Sequence, residues 1–180
     1  TMSIVGTDAA EANLGSSEAL TRGIRVTVAS KYVAARSRPL MNEYFFAYSI
    51  QISNEGSETV QLVSRHWTIT DAEGQVEEVR GPGVVGEQPV LGPGDAFEYT
   101  SACPLATPFG SMSGTYQMVT DSGEHFDAEV GRFALAEPYA IAGVNVIAAD
   151  TDDDARQQWE AVRRYRIARF VAPGRDLTDD

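Results

Sequence analysis

Five large apolar residues recur at every second position from Tyr44 to Ile52 (Tyr44, Phe46, Tyr48, Ile50 and Ile52). The intervening positions run from Phe45 and Ala47 to Ser49 and Gln51. A period of two suits a strand with one buried face, because successive side chains leave a pleated backbone on opposite sides. A helix would scatter these five residues around its circumference. The same period returns in Ile24, Val26 and Val28 against Arg25 and Thr27, and in Phe97, Tyr99 and Ser101. Further strands are expected over Val60 to Thr70, Gln75 to Val79, Thr115 to Val119 and His125 to Val130, with Phe133 and Leu135 closing the domain. Turn residues divide them at Asn54-Glu55-Gly56, Asp71-Ala72-Glu73-Gly74, Leu91-Gly92-Pro93-Gly94-Asp95 and Asp121-Ser122-Gly123. Seven or eight short antiparallel strands in about 115 residues is the size of an immunoglobulin-like β-sandwich. The expected fold class is therefore all-β, an antiparallel β-sandwich over residues 24–140.

The flanks have different textures. Residues 1–23 mix Ala, Ser, Gly and Glu without a period and read as a flexible N-terminal arm. Residues 141–180 form a C-terminal extension in which one helix is expected near 152–170. Thr151-Asp152-Asp153-Asp154 places acid where a helix start exposes its amides, and Arg163, Arg164, Arg166 and Arg169 load the other end with positive charge. Ala155, Trp159 and Val162, with Tyr165 extending them, make one apolar stripe before Pro173-Gly174 ends the run. Two readings of that stripe stand. Trp159 and Val162 either dock on the sandwich of the same chain or form an interaction surface for a partner or a second copy.

The net charge is −12, and the arm, the sandwich and the extension are each net negative. Nonspecific binding to nucleic acid through phosphate neutralisation is disfavoured. All but Lys31 of the 14 basic residues are arginine, a bias that suits a high-salt environment or a GC-rich genome. A lone cysteine, Cys103, cannot make an internal disulfide, which suits a reducing compartment. No apolar run approaches the roughly 18 residues of a membrane span, and no secretory pattern opens the chain. The expected address is cytoplasmic, away from membranes.

Little of the sequence points to catalysis. Gly81-Pro82-Gly83-Val84-Val85-Gly86 matches the spacing G-x-G-x-x-G, which brings backbone against a pyrophosphate when a helix begins behind it. Here Glu87, Gln88 and Pro89 follow instead, Pro82 removes an amide donor, and Glu78 and Glu87 flank the loop with only Arg80 to oppose them. A loop shaped for strand crossing or partner contact is the competing reading. Arg65 and Trp67 share one face of their strand while His66 takes the other, and Trp67 reads as core. No nucleophile can be tied to His66, and His66 and His125 are too few for a histidine-rich zinc site. Cys103, ahead of Pro104, reads as packed at a strand end or turn. Asp152, Asp153 and Asp154 are consecutive, unlike a calcium loop. No catalytic or metal residues are assigned, and no enzyme activity is expected.

Four segments in order carry a family resemblance: Leu62-Val63-Ser64-Arg65-His66-Trp67, Gly81 to Pro89, Tyr99-Thr100-Ser101-Ala102-Cys103-Pro104, and Gly110 to Met118. Together they resemble the ApaG family, from about Ile24 to Tyr139. The resemblance implies a fibronectin type III-like topology and a small binding module without a resident cofactor. Bacterial members sit beside genes for diadenosine tetraphosphate hydrolysis and are associated with cobalt resistance and magnesium efflux. Eukaryotic members are fused to F-box proteins and to a polymerase-delta-interacting protein. Two expectations follow from the resemblance. The first is a protein–protein interaction module working through the loops at 80–95 and 103–111. The alternative is a weak binder or sensor of nucleotide pyrophosphate, helped by a divalent cation, with Arg80 supplying charge and Gly81, Gly83 and Gly86 the cradle. Partner identity and oligomeric state stay open. Gly131, where a proline is common, and the long C-terminal extension depart from the family pattern.

Overall fold

The alternating residues of 44–52 line the inner face of a strand in which Phe46, Tyr48, Ile50 and Ile52 are buried. The computed structural model describes residues 15–137. In chain order it contains β1 (Ser16–Thr21), β2 (Ile24–Tyr32), β3 (Tyr44–Asn54), β4 (Val60–Asp71), β5 (Val76–Pro82), β6 (Val90–Leu91), β7 (Ala96–Leu105), β8 (Phe109–Thr120) and β9 (His125–Ala136). Two single 3-10 turns, Ala34–Arg36 and Pro39–Met41, lie between β2 and β3. All pairings are antiparallel. One sheet runs β1-β2-β3-β7 and the other β5-β4-β8-β9, with β6 continuing along β4 beyond β5. The chain is an all-β, two-sheet sandwich.

Two bulges set which residues face inward. Buried residues in β4 fall at even positions up to Leu62 and then at Trp67, an odd one, because the register slips between Leu62 and Ser64. In β9, Ala128 and Val130 give way to Phe133 and Leu135, and Gly131 and Arg132 together oppose Ser113. One extra residue reverses the parity of everything after it. Without the first bulge Ser64, His66 and Thr68 would enter the core in place of Arg65, Trp67 and Ile69.

Trp67 sits at the centre of the interior. Its ring meets Tyr48, Tyr116 and Phe133 edge-on, with centroids 5.8, 5.9 and 6.3 Å away. Burial of an indole of this size contributes roughly 5 kcal/mol, from about 200 Å² at 25 cal/mol per Å². Gly114 lies across the ladder from Trp67 and makes the close approach possible.

The sandwich is closed on one side and open on the other. On the closed side hydroxyl groups bridge the sheets. Ser17 Oγ donates to the Gly131 carbonyl and Ser30 Oγ to the Ala134 carbonyl, each at 2.6 Å, while the Glu129 amide donates to Thr21 Oγ1 at 3.0 Å. On the open side, β5 and β7 are the outer strands of their sheets.

Several expectations change at this point. The arm assigned to 1–23 does not hold for 16–21: residues 1–14 lie outside the described residues, and Ser16–Thr21 is strand β1, paired with β2 through a turn in which Arg22 and Gly23 both have positive φ. Its small residues Ser17, Ala19 and Thr21 carry almost no period-two signal, yet their size is what lets β1 approach β9. Strand β5 reaches Pro82 rather than Val79, and Cys103 is packed near the end of strand β7, the strand-end alternative of the two expected. Gly131 packs against Ser17, where a Cβ would stand 3.2 Å from that residue's own Cβ. The helix expected near 152–170, with Trp159 and Val162, lies outside the described residues.

A Cβ on Gly114 would meet the His66 carbonyl oxygen at 2.2 Å and Trp67 Cε3 at 2.9 Å. Gly114→Ala is therefore expected to lose about 1–3 kcal/mol, as overpacked cores do. Denaturant melts with unchanged slope and a lower midpoint are the expected reading. A midpoint equal to the parent's would show that β4 and β8 can separate without cost.

Candidate functional site

The open side holds a cleft of about 570 Å³ between the inner faces of β4 and β5 and those of β3 and β7. Trp67, Ile69 and Val79 form one wall; Tyr48, Tyr99 and Cys103 form the other. This volume is ordinary for a small-ligand site or a few side chains of a peptide.

Arg65 stands at one end of the cleft. Its Nη1 donates to the carbonyls of Pro82 and Gly83, at 3.0 and 2.7 Å. Gly81 lies opposite Arg65 in the ladder, and a Cβ there would fall 3.2–3.4 Å from the guanidinium. The glycine is what leaves room for the cation. Glu77 stands at the other end, paired across from Ile69.

Between these ends the cleft is lined by Tyr48 and Tyr99, whose hydroxyls bond to Ser101 and to the buried Tyr116. Tyr99 of one sheet and Tyr116 of the other are joined hydroxyl to hydroxyl at 2.5 Å. Burial pushes both phenols far above their ordinary range. Tyr48 is raised by the same cause, partly countered by its hydrogen bond to Ser101. Burial, with the Glu77 carboxylate adding to it, pushes the Cys103 thiol up to about 11. Such a thiol stays protonated at neutral pH and makes a poor nucleophile.

The glycine loop interrupts the edge strand that β5 and β6 make along β4. Val63, the bulged residue of β4, accepts from the Gly83 amide at 2.9 Å and from Gln88 Nε2 at 2.7 Å. Val84 and Glu87 exchange both backbone hydrogen bonds, at 2.8 and 2.9 Å, around Val85 and Gly86. Both central residues have positive φ, 44° and 82°, the geometry of a two-residue hairpin turn. Gly83, at φ 57°, lies so near Glu87 that a Cβ would meet its carbonyl oxygen at 2.1 Å. Val84 is buried and Val85 exposed.

The structure thus brings Gly81, Gly83 and Gly86 together at one end of the cleft but leaves Arg80 apart. Arg80 alternates to the outer face of β5 and is exposed, with Nη2 3.6 Å from Glu78 Oε2. Three loop amides (Gly83, Val84 and Glu87) are engaged within the protein, and the loop turns carbonyls toward Arg65. Among the described residues the cation that contacts the loop is Arg65. Its signal in the sequence is an arginine sharing a face with a core tryptophan.

His66 points to the outer face, with Nε2 3.3 Å from Glu78 Oε2 but not aligned for a hydrogen bond. Cys103 lies on the inner face of the opposite sheet, so the two cannot form a nucleophile–base pair. Among the described residues no group of three or more His, Cys, Asp or Glu could hold a metal ion, and no helix is long and apolar enough to cross a membrane.

A family model described as the ApaG domain matches residues 34–120. The chain is 58% identical to Protein ApaG of Rhodospirillum centenum over 126 residues, which covers 70% of this chain and 97% of that protein. Protein ApaG of Beijerinckia indica is 51% identical over 126 residues, again 97% of its length. Among solved structures, a Bordetella pertussis protein described as an ApaA protein is similar with a TM-score of 0.64 and 49% identity. That match covers 67% of this chain and 98% of the other.

The raised Cys103 thiol makes stability depend on pH in a known direction. Its folded pKa, about 11, exceeds the ordinary value of 9.0. The stability it contributes is fully present below about pH 9 and is lost as pH rises towards 11, with a slope approaching about 1.4 kcal/mol per pH unit. Denaturant melts from pH 8 to 10 should show this decline, and Cys103→Ala should flatten it. A decline of equal slope in Cys103→Ala would assign it to other groups.

Proposed function

The chain belongs to the ApaG family, and from that premise we propose that it is a non-catalytic module that binds a segment of another protein. What supports this reading is the open side of the sandwich, where a cleft with apolar walls runs between two strands that end their sheets. Pro82, Val84, Val85 and Gly86 from the 80–95 segment and Cys103 and Pro104 from the 103–111 segment line the cleft, which supports contact through these segments. Sheet edges and inter-sheet grooves are recurrent peptide-binding surfaces.

Selection of a random displayed peptide library against the full chain is expected to converge on a shared motif. Calorimetry with diadenosine tetraphosphate, ATP and pyrophosphate, each with and without magnesium, is expected to show no heat of binding. Heat with a pyrophosphate compound, together with a selection that converges on nothing, would replace this reading with that of a pyrophosphate sensor.

A further inference from the structure

The cleft carries opposite charges at its two ends. Arg65 pairs across from Gly81, and Ile69 from Glu77, so the two charged positions are four residues apart along β4 and β5. That separation is roughly 13 Å at about 3.3 Å per residue. Between them the floor is apolar, with Trp67, Val79 and Met112. A four-residue stretch of extended chain spans the same distance, and sheets about 10 Å apart leave room for one layer of its side chains.

The strand beside the cleft suits such a guest. Among the described residues β7 pairs with β3 on one side only, over ten residues from Ala96 to Leu105 with no register shift. Its outward side chains from Glu98 to Ala102 are one acid and two small residues, Thr100 and Ala102. Edge strands that must not pair are usually guarded by charged side chains, proline, an inward charge, a bulge or a covering element. Among the described residues β7 has Glu98 and Pro104 of that kind, which leaves the stretch from Tyr99 to Cys103 between them unguarded. Strand β5 fits less well, since it is shorter and ends at Pro82 in the loop.

We propose that the partner is an extended peptide segment that adds to the edge of β7 and lowers alternate side chains into the cleft. Its inward residues are an acid facing Arg65, an apolar residue above Trp67 and a base facing Glu77. Backbone hydrogen bonds to β7 supply affinity, and the bipolar cleft selects the sequence and its direction. This inference rests on the protein-recognition reading above and names the chemistry of the partner.

Two capped peptides of opposite polarity test it: Ac-Thr-Leu-Thr-Lys-Thr-Val-Thr-Asp-Thr-NH2 and its reversed sequence. Titrated into the full isotope-labelled chain, one polarity is expected to shift the amides of 96–105 and the Trp67 indole. Methylating that peptide's backbone nitrogens at one parity of positions should abolish binding, and at the other parity should leave it intact. Glu77→Lys, a change at an exposed side chain, should weaken the peptide roughly fivefold, the upper range for an exposed ion pair. A peptide with Glu in place of Lys should recover that loss. Absence of shifts at 96–105 with both polarities overturns the proposal. So does binding indifferent to N-methylation and to Glu77→Lys. Concentration-dependent broadening of the same amides without peptide would assign the edge to a second copy and overturn it too. If library-selected peptides then bind elsewhere on the surface, the wider reading survives; if none binds, both fail.

Discussion

The packing of Trp67 between the two sheets governs much of the interior. Three aromatic rings meet it edge-on, from β3, β8 and β9, so both sheets hold a single side chain. To put an indole there, β4 must turn an odd-numbered residue inward after starting with even ones, which the bulge at Val63 accomplishes. The partner strand must offer a residue without a Cβ, which is Gly114. The bulge in β9 performs the same phase change for Phe133. Bulges, glycine and rings are therefore one arrangement and not four separate features.

The same bulge carries Arg65 inward with Trp67, and the polar half of the interior follows from that. A guanidinium at the rim of a core needs acceptors, and the carbonyls of Pro82 and Gly83 provide them. Val63, displaced by the bulge, in turn accepts from Gly83 and Gln88. The glycine-rich loop is held from both sides, so its tight turn, with a β-branched residue at positive φ, has a framework to strain against. The Tyr99–Tyr116 hydrogen bond extends this polar half across to the other sheet. Buried hydroxyls paired with each other avoid the penalty of unsatisfied groups.

Asymmetry between the two sides of the sandwich follows from side-chain size. Serine, threonine and glycine at the β1–β9 side permit hydroxyl-to-backbone bonds that join the two sheets. At the β5–β7 side, Arg65, Trp67 and the tyrosines are too large for the sheets to close, and the space between becomes the cleft. Among the acidic residues of the exterior, Glu77 stands at the mouth of that cleft.

The sequence by itself determined the fold class. Period-two alternation in 44–52, 24–28 and 97–101 and the Gly- and Asp-bearing turns are local properties, and a strand's buried face is written into every second residue. The same reasoning identified Trp67 as core and placed Arg65 on its face. It missed β1, because an edge strand of small residues has no apolar face to display, and it assigned the loop's charge to Arg80. That choice depended on where the chain crosses: Arg80 and Gly81 are neighbours in sequence, but the pleat sends them to opposite sides of the sheet. Only the tertiary structure decided that Arg65 meets the loop, that Tyr99 reaches Tyr116 and that β5 and β7 leave a cleft. Each is a relation between residues distant in the chain, set by how two twisted sheets pack, and no local period encodes it.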